Sequence, residues 1–227
     1  MAQSILVIAD SGTGKSTSIR HLNPDETFII NIANKPLPFK GWKKNYKAIN
    51  KENPKGNLAS ASSAAGIIKA INHVDKKMSH IKTLVVDDWQ YMSSFEYFDR
   101  ANEKGYDKFT QIAANLATVA KLPKDLRDDL TVIFLTHSED STDIGGNRKI
   151  KAKTIGKMID NTLTLEGLFS IVLFGKVNKN DDGVLEYGFE TQNNGENTCK
   201  SPQGMFEDFF IPNNLQYVKD CIQKYEE

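Results

Sequence analysis

The chain has 227 residues, 39% apolar and 26% charged, a composition that fits one soluble globular domain with a sizeable core. Lys+Arg and Asp+Glu both total 29, so no global charge marks a nucleic-acid or membrane partner, and a polyanion would need a local patch. No apolar run nears the roughly 20 residues of a membrane span, and no signal peptide precedes the first one.

Short apolar runs alternate with helical periodicity, the pattern of a parallel sheet covered by helices. The first run, residues 4–9, leads into "DSGTGKSTSIRHL". This strand, glycine-rich loop and helix start fit the phosphate-binding pattern G-x-x-x-x-G-K-S/T, except that Ala9 stands at its first glycine. Gly12 and Gly14 let the chain curl so that backbone N–H groups face phosphate oxygens, and the following helix adds its positive end. Residues Asp10, Ser11, Gly12, Thr13, Gly14, Lys15, Ser16 and Thr17 therefore form the expected nucleotide cradle. Lys15 reaches the β- and γ-phosphates and Ser16 offers its hydroxyl to Mg²⁺. Alanine at position 9 is tolerable wherever φ is negative.

A second run covers 27–33, and an irregular basic stretch, 34–58, follows. Lys35, Lys40, Lys43, Lys44 and Lys47 stand among Phe39, Trp42 and Tyr46 in residues 34–47, with no acid. Lysines can neutralise phosphates while aromatic rings stack on unpaired bases. The alternative is that Phe39 and Trp42 pin the loop to the core. Ala64, Ile67, Ile71 and Val74 share one face of a helix that begins in serines.

The run "TLVVDDWQ" ends in two acids. A carboxylate at the end of a parallel strand beside the loop's own strand faces the phosphates, so Asp87 is the expected Mg²⁺ holder. Asp88 is either a base that orients water or a cap for the next helix. A helix with Phe109, Ile112, Leu116 and Val119 on one face stops before Pro123. The strand 131–136 ends in Thr136 and His137, candidates for sensing the γ-phosphate.

The stretch 138–154 reads as a second irregular basic loop, in which Gly145 and Gly146 permit motion. Arg148, Lys149, Lys151, Lys153 and the adjoining Lys157 face either DNA or a neighbouring subunit's nucleotide. A run at 169–175 leads into 174–192, which reads as two strands joined at Asp182-Gly183, an antiparallel extension of the sheet. A last helix spans 214–224. The cysteines, Cys199 and Cys221, have no metal or disulfide spacing, which fits a reduced compartment.

Taken together, "DSGTGKS", "VVDDWQ", the "TH" of the fourth strand and a hairpin followed by "CKSPQGMF" resemble bacteriophage RecA-like ATPases of the single-strand annealing group. The resemblance spans nearly the whole chain, 1–227, as a single domain. It implies an α/β fold with a RecA-like P-loop NTPase core, mostly parallel and flanked by helices, closed by a C-terminal antiparallel hairpin. It also implies ATP and Mg²⁺ as cofactors and action on single-stranded DNA in phage recombination or strand annealing. Further expected partners are other copies of the chain in a ring or filament and a single-strand DNA-binding protein, within the cytoplasm of an infected bacterium. Lys200 is the residue expected to complete a neighbour's site. One departure stands out: RecA-type enzymes place a catalytic glutamate after the second strand, and here that strand runs into "NIANKP". The competing reading is an ATP-gated loader whose partner is another protein, such as a helicase. A nucleotide kinase ranks last, because four arginines cannot supply an arginine-rich lid.

Overall fold

The computed structural model describes residues 1–142, 145–146, 148–155 and 163–227. Lys157 lies outside them. The parallel strands are β1 (Gln3–Ala9), β2 (Thr27–Asn31), β3 (Leu58–Ala59), β4 (Thr83–Asp87), β5 (Thr131–Thr142) and β7 (Ile171–Lys179). They lie in the order β3-β2-β4-β5-β1-β7, and the antiparallel strands β8 (Leu185–Glu190) and β9 (Phe210–Pro212) extend the β7 edge. The Asp182-Gly183 turn is as the sequence indicates, with Gly183 at φ 77° and its N–H donating to Asn180 O. This mixed sheet flanked by helices is the α/β P-loop NTPase architecture that the motifs imply.

Each inner strand is apolar on both faces because both faces are covered. On one side Leu6, Ile8, Val86 and Phe134 meet α2 (Ala64–Lys77), α3 (Gln90–Asp99) and α4 (Asp107–Lys121) through Ile67, Ile71, Met92, Ile112 and Leu116. On the other, Ile5, Val7 and Leu135 meet Ile19 and the C-terminal helix α5 (Leu215–Glu226) through Leu215, Val218 and Ile222. Side-chain caps fix the helix starts: Ser63 accepts from Gly66 N and Asn214 accepts from Gln216 N and Tyr217 N. No helix among the described residues is long and apolar enough to cross a membrane.

Two expectations are corrected here. The acid-bearing strand β4 is not beside β1, because β5 pairs with both and stands between them. The stretch 138–154 is not irregular: β5 runs on to Thr142 and pairs antiparallel with β6 (Arg148–Ala152), forming a hairpin beyond the sheet. Alternating side chains with charges of both signs leave an extended ribbon, not a loop. The 34–58 stretch is largely irregular, with one short helix, α1 (Trp42–Asn45), and a bridge from Ala48 to Leu58 at the sheet edge.

Candidate nucleotide site

The phosphate loop after β1, His137 of β5, the turn after β2, and Tyr187 and Asn213 of the C-terminal extension surround one cavity of about 570 Å³. The phosphate loop forms its floor. Gly12 and Gly14 sit at φ 84° and 86°, backbone open to glycine and strained for other residues. Ala9 needs no such freedom, because it ends β1 in strand geometry opposite His137 on one side and Gly175 on the other. The close fit is at Gly175, where a Cβ would come within 2.7 Å of Ala9 Cβ. The glycine missing from the head of the loop is thus matched by a glycine on the neighbouring strand. After the loop the chain forms a six-residue 3₁₀ helix, Ser16–His21, in place of the expected α-helix. Its dipole contribution is correspondingly short.

Asp10, Ser11, Gly12, Gly14, Lys15, Ser16 and Thr17 line the cavity. Thr13 does not; its hydroxyl turns back to donate to Asp10 O at 2.8 Å. Ser16 Oγ donates to Asp87 Oδ1 at 2.8 Å, which joins the two residues expected at the metal. Asp87 is 1% exposed. Burial, and then the neighbouring Asp88 charge, push its carboxyl up to about 6. Its second oxygen, Oδ2, is buried without a hydrogen-bond partner. An orphaned carboxylate oxygen beside a serine hydroxyl is a donor set that suits Mg²⁺, so these residues fit the ion that the resemblance implies.

Asp88 holds the other half of the charge. It is fully buried, at a left-handed φ of 59°. Lys15 Nζ lies 3.4 Å and His137 Nε2 3.5 Å from Asp88 Oδ1, while Lys35 Nζ pairs with Oδ2. Burial alone would raise this carboxyl, but the hydrogen bonds from His137 and Lys35 and the two lysine charges hold it well below the usual carboxylate range. Lys15 is 6% exposed; burial lowers its pKa against the pull of Asp88 and Asp87. Asp88 does not cap α3: the residue before that helix is Trp89, which makes no side-chain cap.

His137 completes the cluster, with Nε2 3.3 Å from Lys15 Nζ. Gln90 fixes it by accepting from His137 N at 3.2 Å. The same amide oxygen accepts from Thr136 Oγ1 at 3.4 Å, so Thr136 faces the protein and His137 faces the cavity.

Several residues at the cavity were not legible as site residues: Arg20, Lys35, Pro36, Pro38, Tyr187 and Asn213. Lys35 had a signal, because it follows the strand where a glutamate was missed. Tyr187 and Asn213 come from the β8–β9 extension, and no local motif marks them.

The other nominated residues lie elsewhere. Lys40, Lys43 and Lys44 are exposed on the loop after β2. Trp42 and Phe39 are half-buried and pack against the core cluster of Leu37 and Tyr46, with Lys43 Nζ 5.7 Å from the Trp42 ring centroid. On the β5–β6 hairpin, Arg148 makes two hydrogen bonds to Asp140, at 2.9 and 3.1 Å. Lys151 pairs with Glu139 at 3.2 Å, Lys149 is half-buried and Lys153 is exposed. Lys200 is also exposed, and its backbone pairs with Val172, which lies level with Leu6 and well below the loop. The fold does not bring it to its own chain's cavity.

Comparison with curated proteins gives no match. A family model described as an AAA domain matches residues 1–202, from β1 through the phosphate loop, the paired aspartates and β5 to the segment after β8. With the loop and His137 lining one cavity and Asp87 hydrogen-bonded to Ser16, the match and the geometry agree: the chain belongs to the AAA domain family of P-loop ATPases.

Proposed function

We propose that the chain binds ATP with Mg²⁺ in this cavity, hydrolyses it, and uses the cycle to act on single-stranded DNA in recombination or strand annealing. The observation that carries this reading is the continuity of β5. One strand, Thr131–Thr142, starts in the core, places His137 within 3.3 Å of Lys15, and ends in the hairpin that bears Arg148, Lys149, Lys151 and Lys153. A γ-phosphate that draws Lys15 from Asp88 and His137 changes the charge at the base of that ribbon, which gives nucleotide state a path to a basic surface.

At the reacting end, Ser16 and Asp87 would hold Mg²⁺, which neutralises phosphate charge when bound. Lys15 and Lys35 move from Asp88 to the phosphate oxygens. Asp88, relieved of two cations, is then free to accept a hydrogen bond from water and orient it. This assigns to Asp88 the role that a glutamate after β2 plays in RecA-type enzymes. Lys35, in that glutamate's region, supplies positive charge instead.

ATP turnover with and without single-stranded DNA tests the reading, with Lys149→Ala/Lys153→Ala as the coupling control. Stimulation by DNA that is reduced in the double variant and falls with salt supports it. Turnover indifferent to DNA favours the second reading, a loader for a protein partner. That reading has its own support in the exposed rings of Phe98 and Tyr106, 68% and 74% exposed, at the α3–α4 turn.

A further inference from the structure

The cavity is chemically two-ended. The cations around Asp88 come from the phosphate loop (Lys15), the turn after β2 (Lys35) and β5 (His137), so the terminal phosphates belong at that end. The opposite wall is made by Tyr187 of β8 and by Asn213, which directly follows β9. These two are held as a unit, since Asn213 N donates to Tyr187 O at 3.1 Å. They also press on the loop. A Cβ at Gly14 would lie 3.2 Å from Asn213 Nδ2 and 3.3 Å from Tyr187 Cδ1, so the glycine leaves room for this wall as well as for its own backbone turn.

Two features suit the wall to a ligand. Asn213 is 4% exposed, yet its amide nitrogen has no hydrogen-bond partner, and its oxygen receives only a long contact from Arg20, 3.5 Å. A buried amide donor left unpaired beside a cavity is a group that waits for an acceptor. Tyr187, by contrast, is 45% exposed, a large ring left open at the cavity's edge. Asn213 also lies beyond the residues that the family model matches.

We propose that Tyr187 and Asn213 form the nucleoside end of the site: the Tyr187 ring stacks on the base, and Asn213 Nδ2 donates to an oxygen of the sugar. This rests on the reading of the cavity as an ATP site and adds the direction in which the nucleotide lies. The C-terminal hairpin thereby becomes part of nucleotide recognition, and ATP ties β8–β9 to the phosphate loop.

Calorimetric titration with adenosine 5′-(β,γ-imido)triphosphate and with inorganic tripolyphosphate separates the two ends. Replacing the stacking ring in Tyr187→Ala weakens the adenine nucleotide roughly 5- to 100-fold, whereas tripolyphosphate binding changes less than about twofold. Tyr187→Phe keeps the wild-type affinity for both. Asn213→Ala weakens the nucleotide about 3- to 10-fold and spares tripolyphosphate. The proposal is overturned if Tyr187→Ala binds the nucleotide as wild type does, or if it loses both ligands equally, which would make the ring a support for the loop. Wild-type protein that binds neither ligand overturns the ATP reading itself.

Discussion

Gly175→Ala is the sharpest probe of how this phosphate loop is supported. The new methyl would sit 2.7 Å from Ala9 Cβ, whereas apolar carbons settle at roughly 3.5–4.0 Å, so β1 and β7 must part by about 1 Å. Neither strand can slide to relieve this, because β1 is paired on both sides through Ala9. Overpacking of this kind costs about 1–3 kcal/mol, and the stiffer unfolded chain returns about 0.4–1 kcal/mol. A net loss of about 1–2 kcal/mol lowers Tm by roughly 2–8 °C in a domain of this size. Because Ala9 is the last residue before the loop, nucleotide affinity falls too. Ala9→Gly in the same chain removes the clash and restores the Tm toward wild type, so thermal melts of the two single variants and the double variant form a complete cycle. The reasoning is refuted if Gly175→Ala is as stable as wild type, or if adding Ala9→Gly destabilises it further.

Other substitutions separate roles within the site and its surroundings. Asp88→Asn keeps a residue that tolerates the left-handed backbone but removes the charge shared by Lys15, Lys35 and His137. It should bind ATP at least as tightly as wild type while turnover drops about 100-fold or more, measured by equilibrium binding and phosphate release. Trp42→Ala should lower Tm, since the ring packs on the core, whereas Lys43→Ala leaves Tm unchanged. If Lys43 meets a DNA phosphate, its loss also reduces the slope of log affinity against log salt by about one. An unchanged Tm in Trp42→Ala would show that the ring is not a structural anchor.

The sequence reveals what is local. Strands β1, β2, β4, β5 and β7 are apolar because both faces are buried, and that makes each visible as a run. Helices α2, α4 and α5 declare themselves through one apolar stripe and a cap or stop. Less legible is α3, whose Tyr91, Phe95, Tyr97 and Phe98 spread aromatic character around the helix, with Phe98 exposed. Strand order is not legible, because nothing in "TLVVDD" records that β5 inserts between it and β1. The 138–154 hairpin is hidden by its basic residues, of which Lys151 and Arg148 find their acidic partners, Glu139 and Asp140, on the opposite strand of the ribbon. The same division holds in the site. Lys15, Ser16 and Asp87 follow from motifs, while Lys35, Tyr187 and Asn213 reach the cavity, and Gln90 reaches His137, only through tertiary pairing.

The central claim is that the cluster of Lys15, Asp88 and His137 is the phosphate-facing end of an ATP site. Equilibrium binding of ATP with Mg²⁺, compared between wild type and Lys15→Ala at matched thermal stability, tests it most directly. Saturable binding by wild type and a loss of tenfold or more in the variant are expected. Wild-type protein that binds no ATP, or a Lys15→Ala variant that binds it equally well, would show that this cluster does not hold the phosphates.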